Sequence, residues 1–395
     1  MDRLKIVLGA VLSLPPLSPG MVWNWMQQAQ GFLRLGHDLT FVEEVDSGWC
    51  VDSAGRPAPY ESSLNRRLFL STVERFGLQG RACQLLRGRK ATSGLDFEAL
   101  KAAVTDADLL INMSGHIQSE ALLERAACRV YFDQDPVYTQ LWFSEYGKDL
   151  GFAAHDVFFT VGLNIGTPRS PVPDCGIAWN HALPVVVIDQ WPSSPGPSDG
   201  RFTTIASWSG YGDLFHQGEW YRSKYEEFQR FAELPRHVTQ PLEVLLKSFA
   251  PDDDGVGLLL NGGWQVERGE RAGDLDSYQA YIRGSRAEIG IAKNAYVRGR
   301  SGWFSDRSAH YLASGRPVLA QSTGFEHCLP TGEGLLAFRD LEEAVTGIEA
   351  INSDYARHCR EARRFAEEFL DYQKVLPAFL NDCFSSQKNG SVAHA

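Results

Sequence analysis

Residues 301–338 read SGWFSDRSAHYLASGRPVLAQSTGFEHCLPTGEGLLAF. A glycine pair of loops brackets a short helical stretch that stops at Ser314-Gly315. An apolar strand follows at Pro317 to Ala320, then a turn at Ser322-Thr323-Gly324 and a carboxylate, Glu326. Glycine at a turn lets backbone N–H groups come close to a ligand, and a helix start just after such a turn favours an anion. Between Arg283 and Arg307 six basic residues (Arg283, Arg286, Lys293, Arg298, Arg300, Arg307) face two acidic ones, Glu288 and Asp306. That local excess suits a diphosphate; the competing reading is a set of solvated helix-surface charges.

Working outward, the chain opens strand, loop, helix, strand. Lys5 to Gly9 is apolar; Met21 to Leu35 repeats apolar residues at helical spacing; Gly36 ends it; Leu39 to Val45 is apolar again. Such a start implies a parallel sheet with ligands at the carboxyl ends of its strands. Further apolar runs, expected as strands, lie at Leu109–Met113, Val130–Asp133, Val157–Val161 and Val185–Ile188. The Pro/Ser/Gly-rich segment 191–200 marks the expected boundary. Beyond it a second series is expected, with strands at Phe202–Ser207, Leu242–Lys247, Val256–Leu260 and Glu288–Ala292 and a helix near Ser223–Leu234. The organisation expected is therefore 1–190 as a first Rossmann-like domain, 191–200 as linker, 201–352 as a second Rossmann-like domain, 353–384 as a C-terminal helix and 385–395 as a disordered tail.

At 395 residues two domains are the default, and 44% apolar with 22% charged residues is a globular balance. A net charge of -11 argues against a general nucleic-acid or anionic-membrane binder. Seven scattered cysteines without a C-x-x-C pair read as free thiols of a reducing compartment, and no apolar run reaches the roughly 20 residues of a membrane span. A cytoplasmic protein with no integral membrane segment is expected. The loop GAVLSLPPLSPG lacks G-x-G-x-x-G, which disfavours a dinucleotide oxidoreductase.

Ser314-Gly315-x-Pro317-Val318, then Thr323-Gly324-Phe325-Glu326, then Gly332-x-Gly334-Leu335-Leu336 resembles the donor half of GT-B glycosyltransferases, whose pattern is A-x-G-x-P-V, G-G-x-x-E and G-x-G-L-L. LRLGHDLTFV at 33–42 is similar to the helix-to-strand joint of the family's first domain, so the resemblance runs from about Lys5 to Phe369. It implies two Rossmann-like parallel-sheet domains, the first for an acceptor and the second for the donor, a final helix that crosses back to the first, and transfer of a sugar from a nucleotide-diphosphate sugar to a small-molecule or glycan acceptor. It also implies no metal and no further cofactor, and retention of configuration ahead of inversion. Many retaining members carry E-x7-E; those positions here hold Gly302 and His310, and Arg307 resembles instead the spore-maturation-type branch.

The candidate catalytic residues are His116, just beyond the strand in LLINMSGHIQ, and Arg307. Candidate substrate contacts are Gly20, Ser207, Arg222, Lys224, Lys247, Lys293, Arg300, Ser301, Gly302, Trp303, Ser322, Thr323, Gly324 and Glu326. Lysine or arginine would offset charge on a leaving diphosphate. Asp133-x-Asp135 is formally a D-x-D, better read as an acceptor-side or loop-structuring pair than as a metal site. Trp23, Trp25, Trp142, Trp208 and Trp303 fall on expected loops, where flat rings suit sugars but core packing competes. A nucleotide-sugar epimerase and a non-catalytic nucleotide-sugar binder are the alternative functions.

Overall fold

The computed structural model describes residues 2–15, 17–197, 200–207, 210–247 and 254–392. Its contacts divide into two units, one of residues 1–134, 149–160 and 372–395, the other of residues 135–148 and 161–371. The division falls away from the expected 191–200 linker. Trp191 is fully buried, and the carbonyls of Trp191, Ser194 and Pro197 accept from Arg363, Arg316 and Arg286. Guanidinium groups thus fasten the Pro/Ser-rich stretch to the second unit.

In the first unit the strands are β1 (Lys5–Gly9), β2 (Asp38–Val45), β3 (Ala82–Leu86), β4 (Thr92–Gly94), β5 (Leu109–Met113), β6 (Arg129–Asp133) and β7 (Val157–Thr160), in the order β4-β3-β2-β1-β5-β6-β7. All pairs are parallel except β3 with β4. Their near-unbroken burial is what helices on both faces require. Helices Pro19–Arg34, Leu64–Arg75 and Phe97–Thr105 supply part of that cover. Residues 372–392 return to this unit as helix Tyr372–Val392, seated on Pro19–Arg34. Gly31 permits the approach: a Cβ there would lie 2.6 Å from Leu376 Cδ1 and 2.9 Å from Tyr372 Cβ. Phe379 adds rings against Phe32, Phe132 and Phe159. The helix runs to Val392, where a disordered tail from Ser385 was expected; residues 393–395 lie outside the described ones.

The second unit holds a three-residue strand β8 (Trp179–His181), then β9 (Phe202–Ser207), a hairpin β10 (Leu214–His216) and β11 (Glu219–Tyr221), β12 (Leu242–Lys247), β13 (Gln265–Arg268), β14 (Ala287–Gly290), β15 (Val318–Gln321) and β16 (Leu335–Phe338). Its parallel sheet runs β13-β12-β9-β14-β15-β16. Numbered along its own chain that is 3-2-1-4-5-6, the doubly-wound order, and the first unit repeats it with β4 appended. Three corrections follow. Val256–Leu260, expected as a strand, lies in helix Asp254–Gly262, because a five-residue apolar run does not separate a buried strand from a buried helix. Val185–Ile188 forms only an isolated bridge, Val186 with Asp371, before a turn of 3-10 helix. The expected helix 353–384 is two helices, Tyr355–Phe365 in the second unit and Tyr372–Val392 in the first, parted by a π turn at Ala366–Leu370.

Candidate functional site

Strand order reverses between β1 and β5 in one unit and between β9 and β14 in the other. Outside the carboxyl ends at such a point the loops splay apart and leave room for a ligand. Ser207 ends β9 opposite Lys247 of β12, and Lys293 follows β14 by three residues. Burial lowers the pKa of Lys247.

Around that second reversal Lys224, 7% exposed, donates from Nζ to the Ile291 carbonyl at 2.8 Å and sits 6.0 Å from the Trp303 ring centre. Burial, with the neighbouring charges of Arg307 and Lys293, holds its pKa well below the ordinary lysine value. Lys293 is enclosed instead: its ammonium meets Asp135 Oδ1 at 2.8 Å and Tyr296 Oη at 2.9 Å, with Tyr138 and Tyr211 rings at 5.1 and 4.4 Å. Burial would raise the Asp135 pKa, but Lys293 and hydrogen bonds from Tyr211 and Tyr296 hold it lower. Arg307 donates from Nε to Glu288 Oε1 at 2.6 Å and from a terminal nitrogen to the Ile205 carbonyl at 2.7 Å, inside helix Asp306–Ala313. It is an almost buried ion pair beneath the loops, with Glu288 wholly covered.

Glu227, 1% exposed, orders the same edge. It accepts from Asn294 Nδ2 at 2.7 Å and Gln321 Nε2 at 2.5 Å, and Asn294 Oδ1 in turn accepts the Arg222 N–H. The Arg222 side chain turns to Glu226 at 3.1 Å and Asp213 at 3.6 Å. Arg300 is exposed, with φ 41°, and among the described residues it forms no ion pair.

The glycine loops are packed by the unit's own chain. Gly302 has φ 72°, and a Cβ there would lie 2.8 Å from the Asn164 nitrogen; at Gly324, φ 88°, it would lie 2.6 Å from Asn164 Nδ2. Asn164 Nδ2 donates to the carbonyls of Arg300 and Gly324, while the Ser301 carbonyl accepts from the Asn164 N–H. Gly302 N–H donates to the Thr323 carbonyl and Thr323 Oγ1 to that of Trp303, so Ser301 to Trp303 and Ser322 to Gly324 form one knot. A pocket beside it, lined by Ile291, Trp303, Ser305, Arg307, Gln321 and Phe325 among others, offers about 10 Å³. That is roughly one water molecule, so the pocket itself does not hold a larger ligand. At the rim Glu326 accepts from Ser322 Oγ at 2.6 Å and Arg339 at 3.1 Å, and its buried Oε2 has no partner among the described residues. His310, at the second E-x7-E position, is core: it stacks on Trp191 at 4.2 Å, and burial pushes its pKa down to about 3.

In the first unit His116 follows β5, after Ser114 and Gly115 at φ 49° and 68°. Its Nε2 accepts the Glu44 N–H at 3.3 Å, which leaves Nδ1 to carry the proton, and its ring lies 6.3 Å from that of Trp49. Burial and the Arg87 guanidinium push its pKa down to about 4. Glu44 also accepts the N–H groups of Gln118 and Ser119 and pairs with Arg87 at 2.9 Å. Across the reversal Glu43, 1% exposed, accepts from the Leu12 and Ser13 N–H groups, Ser13 Oγ and Gln84 Nε2 at 2.7 to 2.9 Å. Gly20 lies in the first turn of Pro19–Arg34. Asp133 is buried and accepts from Thr160 Oγ1 at 2.7 Å. Trp23 and Trp25 are core, Trp142 packs on Tyr211, and Trp208 lies outside the described residues. Among those residues no group of histidine, cysteine and carboxylate side chains is placed to hold a metal ion, and no helix is long and apolar enough to cross a membrane.

Sequence reasoning passed over Glu43, Glu44, Glu227, Glu288 and Asn164. Each is an ordinary polar residue whose partners lie far along the chain, so no local pattern marks it.

No model of a protein family matches this sequence, and no curated protein matches it. Solved structures do. An alpha-glucosyltransferase in complex with UDP and a 13-mer DNA containing a HMU base aligns over 97% of this chain and 100% of its own, with a TM-score of 0.60 at 13% identity. HepE of Anabaena, in complex with UDP and glucose, aligns over 97% and 100% with a TM-score of 0.57 at 11% identity. AviGT4, a glycosyltransferase involved in avilamycin A biosynthesis, aligns over 98% of both chains with a TM-score of 0.53 at 13% identity. The chain therefore has the GT-B fold, two Rossmann-like parallel-sheet units, along nearly its whole length.

Proposed function

We propose that the protein is a glycosyltransferase that moves a sugar from a nucleotide-diphosphate sugar, a UDP sugar in the first instance, to an acceptor. The observation that carries the reading is Lys224. A buried lysine whose charge is suppressed at the strand-order reversal of a Rossmann-like unit is poised for an anion, because a diphosphate would offset both its desolvation and the repulsion from Arg307 and Lys293. Lys293 is already paired with Asp135 and Arg307 with Glu288, which makes Lys224 the better phosphate contact. UDP in the complexes of similar fold supports the choice of nucleotide.

On this reading the diphosphate lies over the rim formed by Gly302, Trp303 and Ser322 to Glu326. Arg300 lends a further positive charge there. Glu326 Oε2 takes a donor hydroxyl, and the acceptor rests on the first unit near His116. With its pKa near 4 that ring is neutral at physiological pH, so it orients a hydroxyl through Nδ1–H and does not act as an acid. The positioned cations do the electrophilic work without a metal, and retention of configuration is the outcome proposed, in the cytoplasm of the cell.

A thermal-shift series with UDP, GDP, ADP and their sugars tests the donor. A ligand at a hundred times its dissociation constant stabilises by about 2.7 kcal/mol, and no shift with any of them would count against the reading. A nucleotide-sugar epimerase needs carboxylates at the sugar, and at the rim Glu326 Oε2 has no partner among the described residues. Free nucleotide that appears only when acceptor is supplied favours transfer over epimerisation, and binding without any turnover leaves a non-catalytic binder.

A further inference from the structure

Four of the large side chains left exposed belong to one neighbourhood of the second unit: Tyr146, Tyr211, Phe215 and Trp220, each 45 to 48% exposed. The hairpin β10–β11 organises them. Phe215 pairs directly across from Trp220, with ring centres 5.1 Å apart. Alternation along the strands puts Leu214, His216 and Tyr221 on the opposite, buried face. The hairpin thus has one side largely packed, through Leu214, His216 and Tyr221, and a second, aromatic side turned to water. Phe215 N–H donates to Tyr146 Oη at 2.7 Å, and Tyr211 packs on Trp142 at 5.0 Å, so the rings are held in place. Exposed apolar area of this kind is a cost unless something covers it.

We propose that this outer face is a carbohydrate-binding platform for a chain of pyranose rings with equatorial substituents. Such rings present axial C–H groups on both faces, which pack on aromatic planes. The polar frame fits the same ligand. Arg222 lies 5.8 Å from the Trp220 ring centre, 3.6 Å from Asp213 and 3.1 Å from Glu226, so a guanidinium and two carboxylates stand beside that ring, as binding of vicinal diols requires. An anionic lipid or a nucleic acid would meet those carboxylates on a chain of net charge -11. A bilayer or an apolar protein partner would call for aliphatic side chains as well, whereas the exposed Leu258 and Leu260 lie on a different element, helix Asp254–Gly262. That the bound chain is the acceptor of transfer rests on the function proposed above; that it binds does not.

The test uses the full chain without donor. Native gels cast with hydroxyethylcellulose should retard it, and cellohexaose should give saturable heat by calorimetry. The double variant Phe215→Ala/Trp220→Ala should bind cellohexaose at least tenfold more weakly while its melting temperature and its UDP-induced shift stay unchanged, since both rings are surface groups. No retardation and no heat with the wild type would overturn the proposal. So would equal binding by the double variant, or co-sedimentation with phosphatidylcholine vesicles in place of glycan binding. Glycan binding without any nucleotide shift would sink the donor reading and leave the platform standing.

Discussion

The two parallel sheets share one strand order, yet their carboxyl edges are held in different ways. In the first unit adjacent residues of β2 do the work: Glu43 gathers the N–H groups of the loop after β1, and Glu44 those of the loop after β5. Consecutive side chains of a strand leave on opposite faces, so one dipeptide clamps both sides of the reversal. In the second unit carboxylates hold side chains: Glu227 takes Asn294 and Gln321, and Glu288 takes Arg307. The first edge thereby sets His116 beside the Glu44–Arg87 ion pair, and the second keeps cations close to its loops. On the function proposed, the acceptor and the diphosphate meet opposite kinds of edge.

The largest effect should come from the buried pair. Arg307→Ala leaves Glu288 without a counter-charge and should cost about 3–5 kcal/mol in urea unfolding, whereas the double change Glu288→Leu/Arg307→Met should recover most of it. A loss below about 1 kcal/mol would mean the second edge is not held by that pair. Glu43→Ala should come next, at about 3 kcal/mol, because the Leu12 and Ser13 N–H groups lose their acceptor in a buried place. If Glu43→Ala is neutral, the β2 clamp is not what holds the first edge.

His116→Ala should lower the transfer rate at least tenfold, about 1.4 kcal/mol, with the fold retained. The same histidine gives a signed pH effect. A pKa near 4 in the folded chain against 6.5 unfolded means the unfolded state binds more protons between those values. Stability should therefore fall as the pH drops from 6.5 to 4, more steeply in the wild type than in His116→Gln, as read by denaturant midpoints. An equal slope in both would place the ring in water.

Much of this was legible from residues alone. Strands such as Leu109–Met113 and Phe202–Ser207 stand out because parallel strands covered on both faces are unbroken apolar runs with turn residues at each end. Helix Asp254–Gly262 was misread for the same reason, since its GVGLLL has the composition of a strand. The chemistry-bearing glycines were legible as positions of close approach, but what approaches them was not: Asn164, some 140 to 160 residues away in sequence, fills the space beside Gly302 and Gly324. Lys293 and Asp135 were both marked by motif, and only folding reveals that each neutralises the other.

The smallest effect separates the two edges most finely. Lys224 has its pKa depressed by burial first and by Arg307 and Lys293 next, so at a pH between that lowered value and 10.5 it is largely unprotonated in the free protein. A diphosphate placed beside it adds negative charge and raises the pKa, so binding must take up a proton from buffer. Titration of UDP into the protein in Tris and in HEPES, whose ionisation enthalpies differ, repeated over a series of pH values, should report proton uptake on the alkaline side of that lowered pKa. Lys224→Met, which replaces a buried amine by an apolar chain of similar length, should fold normally and abolish the uptake along with most of the affinity. His116, with its pKa near 4, is neutral in that alkaline range and is not the group that takes up the proton. Buffer-independent heats in the wild type would therefore mean that the diphosphate does not reach Lys224.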